Sequence, residues 1–161
     1  MNAATEHSWI ALARSFIGLK ETPGPGNTPE VVQFFKDIKR GGIKDDIVPW
    51  CSAFVGAMLE RSGITSSRYE SAMSYADWGM PLPAPEYGCI VVFKRDGGGH
   101  VGFVVGRASN GNLLVLGGNQ GDAVNIKEFD LDRVVAYRWP AGQKSIAMMP
   151  TGSAALSRSE A

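Results

Sequence analysis

Apolar residues in the first part of the chain recur at helical spacing, whereas after residue 87 they fall into short runs broken by turn signals. Trp9, Ile10, Ala13, Phe16 and Ile17 make one apolar face and predict a helix over about Ser8 to Leu19. GLKETPGPGN then breaks it with two prolines and three glycines. Thr28 suits an N-cap with Pro29 in the first turn, Val31, Val32, Phe35 and Ile38 carry a second helix, and Gly41-Gly42 end it. A third helix is predicted from near Cys51 to near Gly63, and a short fourth over Tyr69 to Trp78. Five strands follow: Gly88–Arg95, His100–Ala108, Asn112–Gly118, Ala123–Phe129 and Val134–Trp139.

The strands lie too close together for crossover helices, so consecutive ones are expected to pair antiparallel. Helices first and strands afterwards imply an α+β fold, with the helices on one side of a mostly antiparallel sheet of about five strands. The 161 residues suit one domain, read as 1–140, with 141–161 as a loose tail lacking periodicity.

Composition narrows the classes. Hydrophobic content of 44% and charged content of 20% are those of an ordinary globular protein. Sixteen basic and sixteen acidic side chains give a formal net charge of +0, which argues against a nucleic-acid face. Glu6, His7, Arg14 and Lys20 interrupt the apolar residues near the start, so no signal peptide is read there. No run reaches the length of a membrane span, so membrane insertion is not expected. The expectation is synthesis in the cytoplasm, with any action outside depending on non-classical release or injection.

The chain holds two cysteines and two histidines. Cys89, in GCIVVF, reads as a small apolar residue of a buried strand. Cys51, in PWCSAFVGAML, stands where a proline turn gives way to a helix. At a helix N-terminus, unpaired N–H groups and the dipole favour the nucleophilic thiolate. The same groups can receive an oxyanion formed on a bound carbonyl. His7 reads as solvated surface, whereas His100 opens the strand HVGFVVG after a glycine run, rigid yet near the sheet rim, as a general base requires. Its ring needs an orienting partner. Antiparallel pairing with LLVLGGNQGD brings Asn119, Gln120 and Asp122 to the start of the His100 strand. Strand alternation puts Asn119 on one face and Gln120 on the other, and selects Asn119; the other reading makes both of them turn residues.

W-C-S-A-F, then G-x-I-V-V-F, G-G-H-V-G-F-V and G-G-N-Q, in that order, resemble the NlpC-type and CHAP-type cell-wall hydrolases, and more closely a subgroup of small bacterial and phage proteins. The resemblance spans about Trp9 to Pro140. It implies a papain-like fold and hydrolysis of an amide or peptide bond in peptidoglycan without a cofactor, by a stem-peptide endopeptidase or an N-acetylmuramoyl-L-alanine amidase. It implies Cys51 as nucleophile, His100 as base and Asn119 as orienter. Where many CHAP-type proteins carry a glutamate two positions before the asparagine, this chain has Gly117.

Trp50, Glu21, Asp46 and Gln120 are the candidate substrate-binding residues, with Asn27, Asp45 and Trp78 as weaker ones; each also suits core or solvated surface. One plausible histidine and no paired cysteines give no metal site. The expected roles are a phage lysin or an antibacterial effector, the latter with a cognate immunity protein. The rival readings are a Cys–His acyltransferase or thioesterase, and a wall-binding or phage structural module without activity.

Overall fold

The computed structural model describes residues 6–21, 28–43, 49–146 and 148–157. Within them three helices, α1 (Ser8–Ser15), α2 (Pro29–Asp37) and α3 (Cys51–Arg61), precede seven strands. The strands are β1 (Met80–Leu82), β2 (Ile90–Arg95), β3 (Gly98–Ala108), β4 (Leu113–Gly117), β5 (Asn125–Phe129), β6 (Val134–Trp139) and β7 (Thr151–Gly152). They form one sheet in the order β1-β6-β2-β3-β4-β5, antiparallel throughout except that β7 lies parallel to β3. This is the expected α+β architecture, the three helices packed against a mostly antiparallel sheet, and it is consistent with a papain-like fold. The five expected strands are present, and β1 and β7 are additions.

α3 is the centre of the packing. Every residue from Cys51 to Leu59 is buried, because α2, α1 and the strands β3 and β4 all pack on it. A helix apolar on all sides requires such enclosure. Phe54 packs edge-on against Phe16 and Phe34, joining all three helices. Phe54→Ala should therefore cost about 3–5 kcal/mol.

The structure departs from the sequence reading in four places. α1 stops at Ser15; Gly18 takes φ +104°, and the chain runs on as a ribbon against residues 122–124. Gly18 donates to Val124, Val124 to Leu19, and Glu21 to Asp122. The fourth helix is only a 3-10 turn over Ala72–Tyr75. Its serines bond locally instead, Ser74 Oγ to the Ser71 carbonyl at 2.6 Å and Ser67 Oγ to Ser74 Oγ at 2.7 Å, and such bonds compete with a helix.

His7 is not solvated surface. Its ring stacks on Trp9 at 4.2 Å and meets Trp139 edge-on at 5.4 Å, with Nε2 buried and unbonded among the described residues. Finally, the segment expected as a loose tail is held by the sheet. Arg107 donates to Pro150, β7 pairs with Arg107 and Ala108, and Glu128 exchanges backbone bonds with Ala155 and Ser157. No described helix is long and apolar enough to cross a membrane.

Candidate active site

α3 begins at Cys51, as the proline turn before it implies, and no side chain caps it. Its first N–H groups are therefore available to other partners. The Cys51 thiol is 3% exposed and takes up this supply: the backbone N–H groups of Ser52 and of Cys51 itself point at it. A third comes from Val101. Pairing between β3 and β4 begins only at Phe103, so the start of β3, including Val101, lies outside that ladder. Arg95 adds a positive charge within reach. Burial nevertheless dominates and pushes the thiol up from its ordinary value, against the pull of the three N–H groups and the arginine.

His100 precedes Val101 on β3, and its side chain is 1% exposed. The ring lies parallel to Phe129 at 5.4 Å and near-parallel to Phe93 at 6.3 Å, its register partner on β2. Nε2 is 3.0 Å from Oε1 of Gln120.

Gln120, the residue after the one that strand alternation selects, meets the imidazole. β4 ends at Gly117, and Asn119 has φ +58°, a left-handed conformation. Strand alternation stops where the backbone leaves the extended region, so the two faces cannot be counted through Asn119, and Gln120 comes to the ring's side. The Gln120 side chain is wholly buried and fixed at its other end. Its Nε2 donates to the carbonyls of Val115 (3.2 Å) and Asn125 (3.0 Å) and lies 3.0 Å from Asn125 Oδ1. Asn125 Nδ2 returns a bond to the Gln120 carbonyl at 2.8 Å.

These acceptors fix which end of the amide is which, because a flipped amide would set its oxygen against three others. Oε1 therefore faces the ring, and His100 Nε2 carries the proton. In the neutral imidazole Nδ1 is then the basic nitrogen.

Gly117 makes this possible. A Cβ there would stand 2.4 Å from Gln120 Oε1 and 3.5 Å from His100 Nε2. A side chain at position 117 would enter the space that the Gln120 amide fills. Gly118 performs a similar service on the helix side, where a Cβ would come within 2.7 Å of both Trp50 and Phe54.

Trp50 is completely buried, so it belongs to the core. Its indole N–H donates to Glu21 Oε1 at 2.6 Å, which ties the entry of α3 to the ribbon that ends the first helical segment. Glu21 is thus beside the residue preceding Cys51, through the ribbon rather than a loop. Asp46, Asp45 and Asn27 lie outside the described residues. Trp78 packs edge-on against Tyr75 and donates to the Thr65 carbonyl at 3.3 Å.

Sequence reasoning brought Gln120 to the start of the His100 strand but chose Asn119 for the ring, and it missed Val101 as a donor and Arg95. It also missed the segment after Ser67: Ser52 Oγ donates to the Tyr69 carbonyl at 2.7 Å, and Met73 Sδ lies 2.9 Å from where a Gly99 Cβ would be. The run GGNQG, glycine on both sides, was the available signal that a turn and not a strand presents Gln120.

Among the described residues no group of three His, Cys, Asp or Glu side chains is placed to hold a metal ion. The arrangement provides a buried thiol supplied with N–H donors, beside a strand carrying an imidazole of defined tautomer. Such a pair can perform nucleophilic acyl transfer. No curated protein matches the chain. The model of the CHAP domain matches residues 43–119, which include Cys51, His100 and Asn119 and stop one residue short of Gln120. Over residues 43–119 the chain is thus similar to the CHAP domain, a family of papain-like cysteine–histidine amidases and peptidases that act on peptidoglycan.

Proposed function

We propose that Cys51 is the nucleophile and His100 the general base of a peptidoglycan amide hydrolase, with Gln120 orienting the base. Nδ1 of His100 takes the Cys51 proton as the sulfur attacks the amide carbonyl. N–H groups at the start of α3 receive the negative charge that develops on the carbonyl oxygen. The imidazolium then protonates the departing amine, and Nδ1 next activates the water that cleaves the thioester and frees the thiol.

The backbone N–H groups around the Cys51 sulfur stabilise the negative charge that the sulfur carries as it loses its proton during attack. Gln120 is an amide, so it fixes the ring without lending it a negative charge. The observation that carries the reading is the His100 imidazole, 3.0 Å from the anchored Gln120 amide, next to the residue whose N–H points at the Cys51 thiol.

Digestion of purified sacculi, with mass spectrometry of the released fragments, tests the activity and identifies the bond. The expected result is a new amine and a new carboxylate at one amide, dependent on Cys51. Intact sacculi after prolonged incubation with folded protein would overturn the reading. Phage lysin and antibacterial effector are the biological roles we propose for such an enzyme. An effector's producer should supply an immunity protein that binds this domain and blocks hydrolysis, whereas a lysin needs none.

A further inference from the structure

Arg95 is the arginine whose charge reaches the Cys51 thiol. It ends β2 opposite Gly98, at the tight turn into β3. It follows Phe93 by two residues in the strand, so its side chain leaves the sheet on the face that bears Phe93 and His100. Nε donates to the Gly99 carbonyl at 3.1 Å, which pins the guanidinium against the residue preceding His100.

Arg14, Arg40, Arg61 and Arg68 each pair with a carboxylate, on Glu6, Glu70, Asp37 and Glu60. Arg95, like Arg107 and Arg138, pairs with no carboxylate among the described residues, although Asp96 is adjacent in sequence. It is half-buried, and its charge is felt at the Cys51 thiol. A partly desolvated cation without a counter-ion is costly unless something of opposite charge visits it. With Nε engaged by Gly99, the two terminal nitrogens still present a fork that matches a carboxylate.

We infer that Arg95 binds a free carboxylate of the substrate, on a residue flanking the amide that is cut. The inference rests on the hydrolase reading above and sharpens it. Stem peptides carry free carboxylates, notably the α-carboxylate of the glutamate linked onward through its side chain. The lactyl–alanine amide is flanked by two methyl-bearing groups and has no carboxylate beside it. Arg95 therefore favours a bond within the stem peptide.

The test uses two soluble muropeptides, identical except that the glutamate α-carboxylate is free in one and a carboxamide in the other. The protein should cut the free acid roughly tenfold to a hundredfold better in kcat/KM, the range of a charge-assisted pair. Arg95→Ala should lose that preference, falling further on the acid than on the amide by the same factor, and Arg95→Lys should keep part of it. A second arm measures binding of both muropeptides to Cys51→Ala, with and without Arg95→Ala, by calorimetry. Tighter binding of the acid that disappears with Arg95 supports the inference even if no variant hydrolyses either compound, in which case the hydrolase reading alone falls. Equal losses on acid and amide in Arg95→Ala, or an unchanged preference, would overturn it.

Discussion

The two cysteines of this protein are both buried and both pushed up by burial, yet their surroundings have opposite character. Around Cys51 stand three backbone N–H groups and the Arg95 guanidinium, all of which favour the anion. Around Cys89 stand two backbone N–H groups, of Glu86 and of Cys89 itself, and the Glu86 carboxylate, whose charge opposes the anion; its thiol is pushed up to about 12. Burial is thus no guide to which thiol is chemical. The distinction lies in whether the site stabilises negative charge once it forms, which is what an attacking sulfur and a tetrahedral oxyanion need.

The comparison breaks most directly by exchanging the thiols' fates. Cys51→Ala should reduce sacculus hydrolysis by more than about 10⁴-fold while far-UV and near-UV spectra stay native. Cys89→Ala should stay within about threefold of the parent protein, because only a small packed group is removed. His100→Ala comes next, with an expected loss in kcat of about 10²–10⁴-fold.

A smaller effect sharpens the role of the Gln120 amide. Gln120→Ala should cost about 10²-fold in kcat with little change in KM, since it loosens the ring without touching substrate. Gly117→Ala should do the same, because its Cβ would displace the amide from 2.4 Å away. In the Gln120→Ala background, Gly117→Ala should cost little more, and strict additivity of the two losses would contradict the shared mechanism. Gln120→Glu should be less stable than Gln120→Ala, as its second oxygen would face the Val115 and Asn125 carbonyls and Asn125 Oδ1. Asn119→Ala should lose stability rather than chemistry, by about 1 kcal/mol, and Asn119→Gly should recover it, since φ is +58° there.

What the sequence made legible follows the same physics. Helix periodicity, the Pro49 turn and short valine-rich runs located α3, β2 and β3, and with them Cys51 at a helix start and His100 near a strand start. These positions depend on local rules that a single chain displays. The failures came where a local rule was extended past its domain. Alternation was counted through Asn119 although the backbone turns left-handed there, and it did not foresee that Gln120 meets the ring. Helical spacing was read through Leu19, which instead pairs with Val124 and carries Glu21 to Trp50. The serines at 67, 71 and 74 held their own turn against an apolar pattern. The segment after Pro140 shows no period because backbone pairing to β3 and Glu128, not a buried face, holds it.

The smallest expected effect concerns alkaline stability. The unfolded Cys89 thiol titrates near its ordinary 9.0, whereas the folded one holds its proton to about 12. Above the unfolded value, unfolding releases a proton, so stability should fall as pH rises from about 9 towards 12 and be unaffected below. Denaturant midpoints across that range should decline less steeply in Cys89→Ala. An identical slope would show that Cys89 is not the group responsible.

The central claim is that the sulfur of Cys51, and not that of Cys89, bonds to the substrate carbonyl. Acid quenching during turnover of soluble peptidoglycan fragments, followed by intact-mass measurement and peptide mapping, observes that bond. The account predicts an acyl adduct on the peptide containing Cys51, absent from Cys51→Ala and present in Cys89→Ala. An adduct on Cys89, or turnover by folded Cys51→Ala at the parent rate, would contradict it.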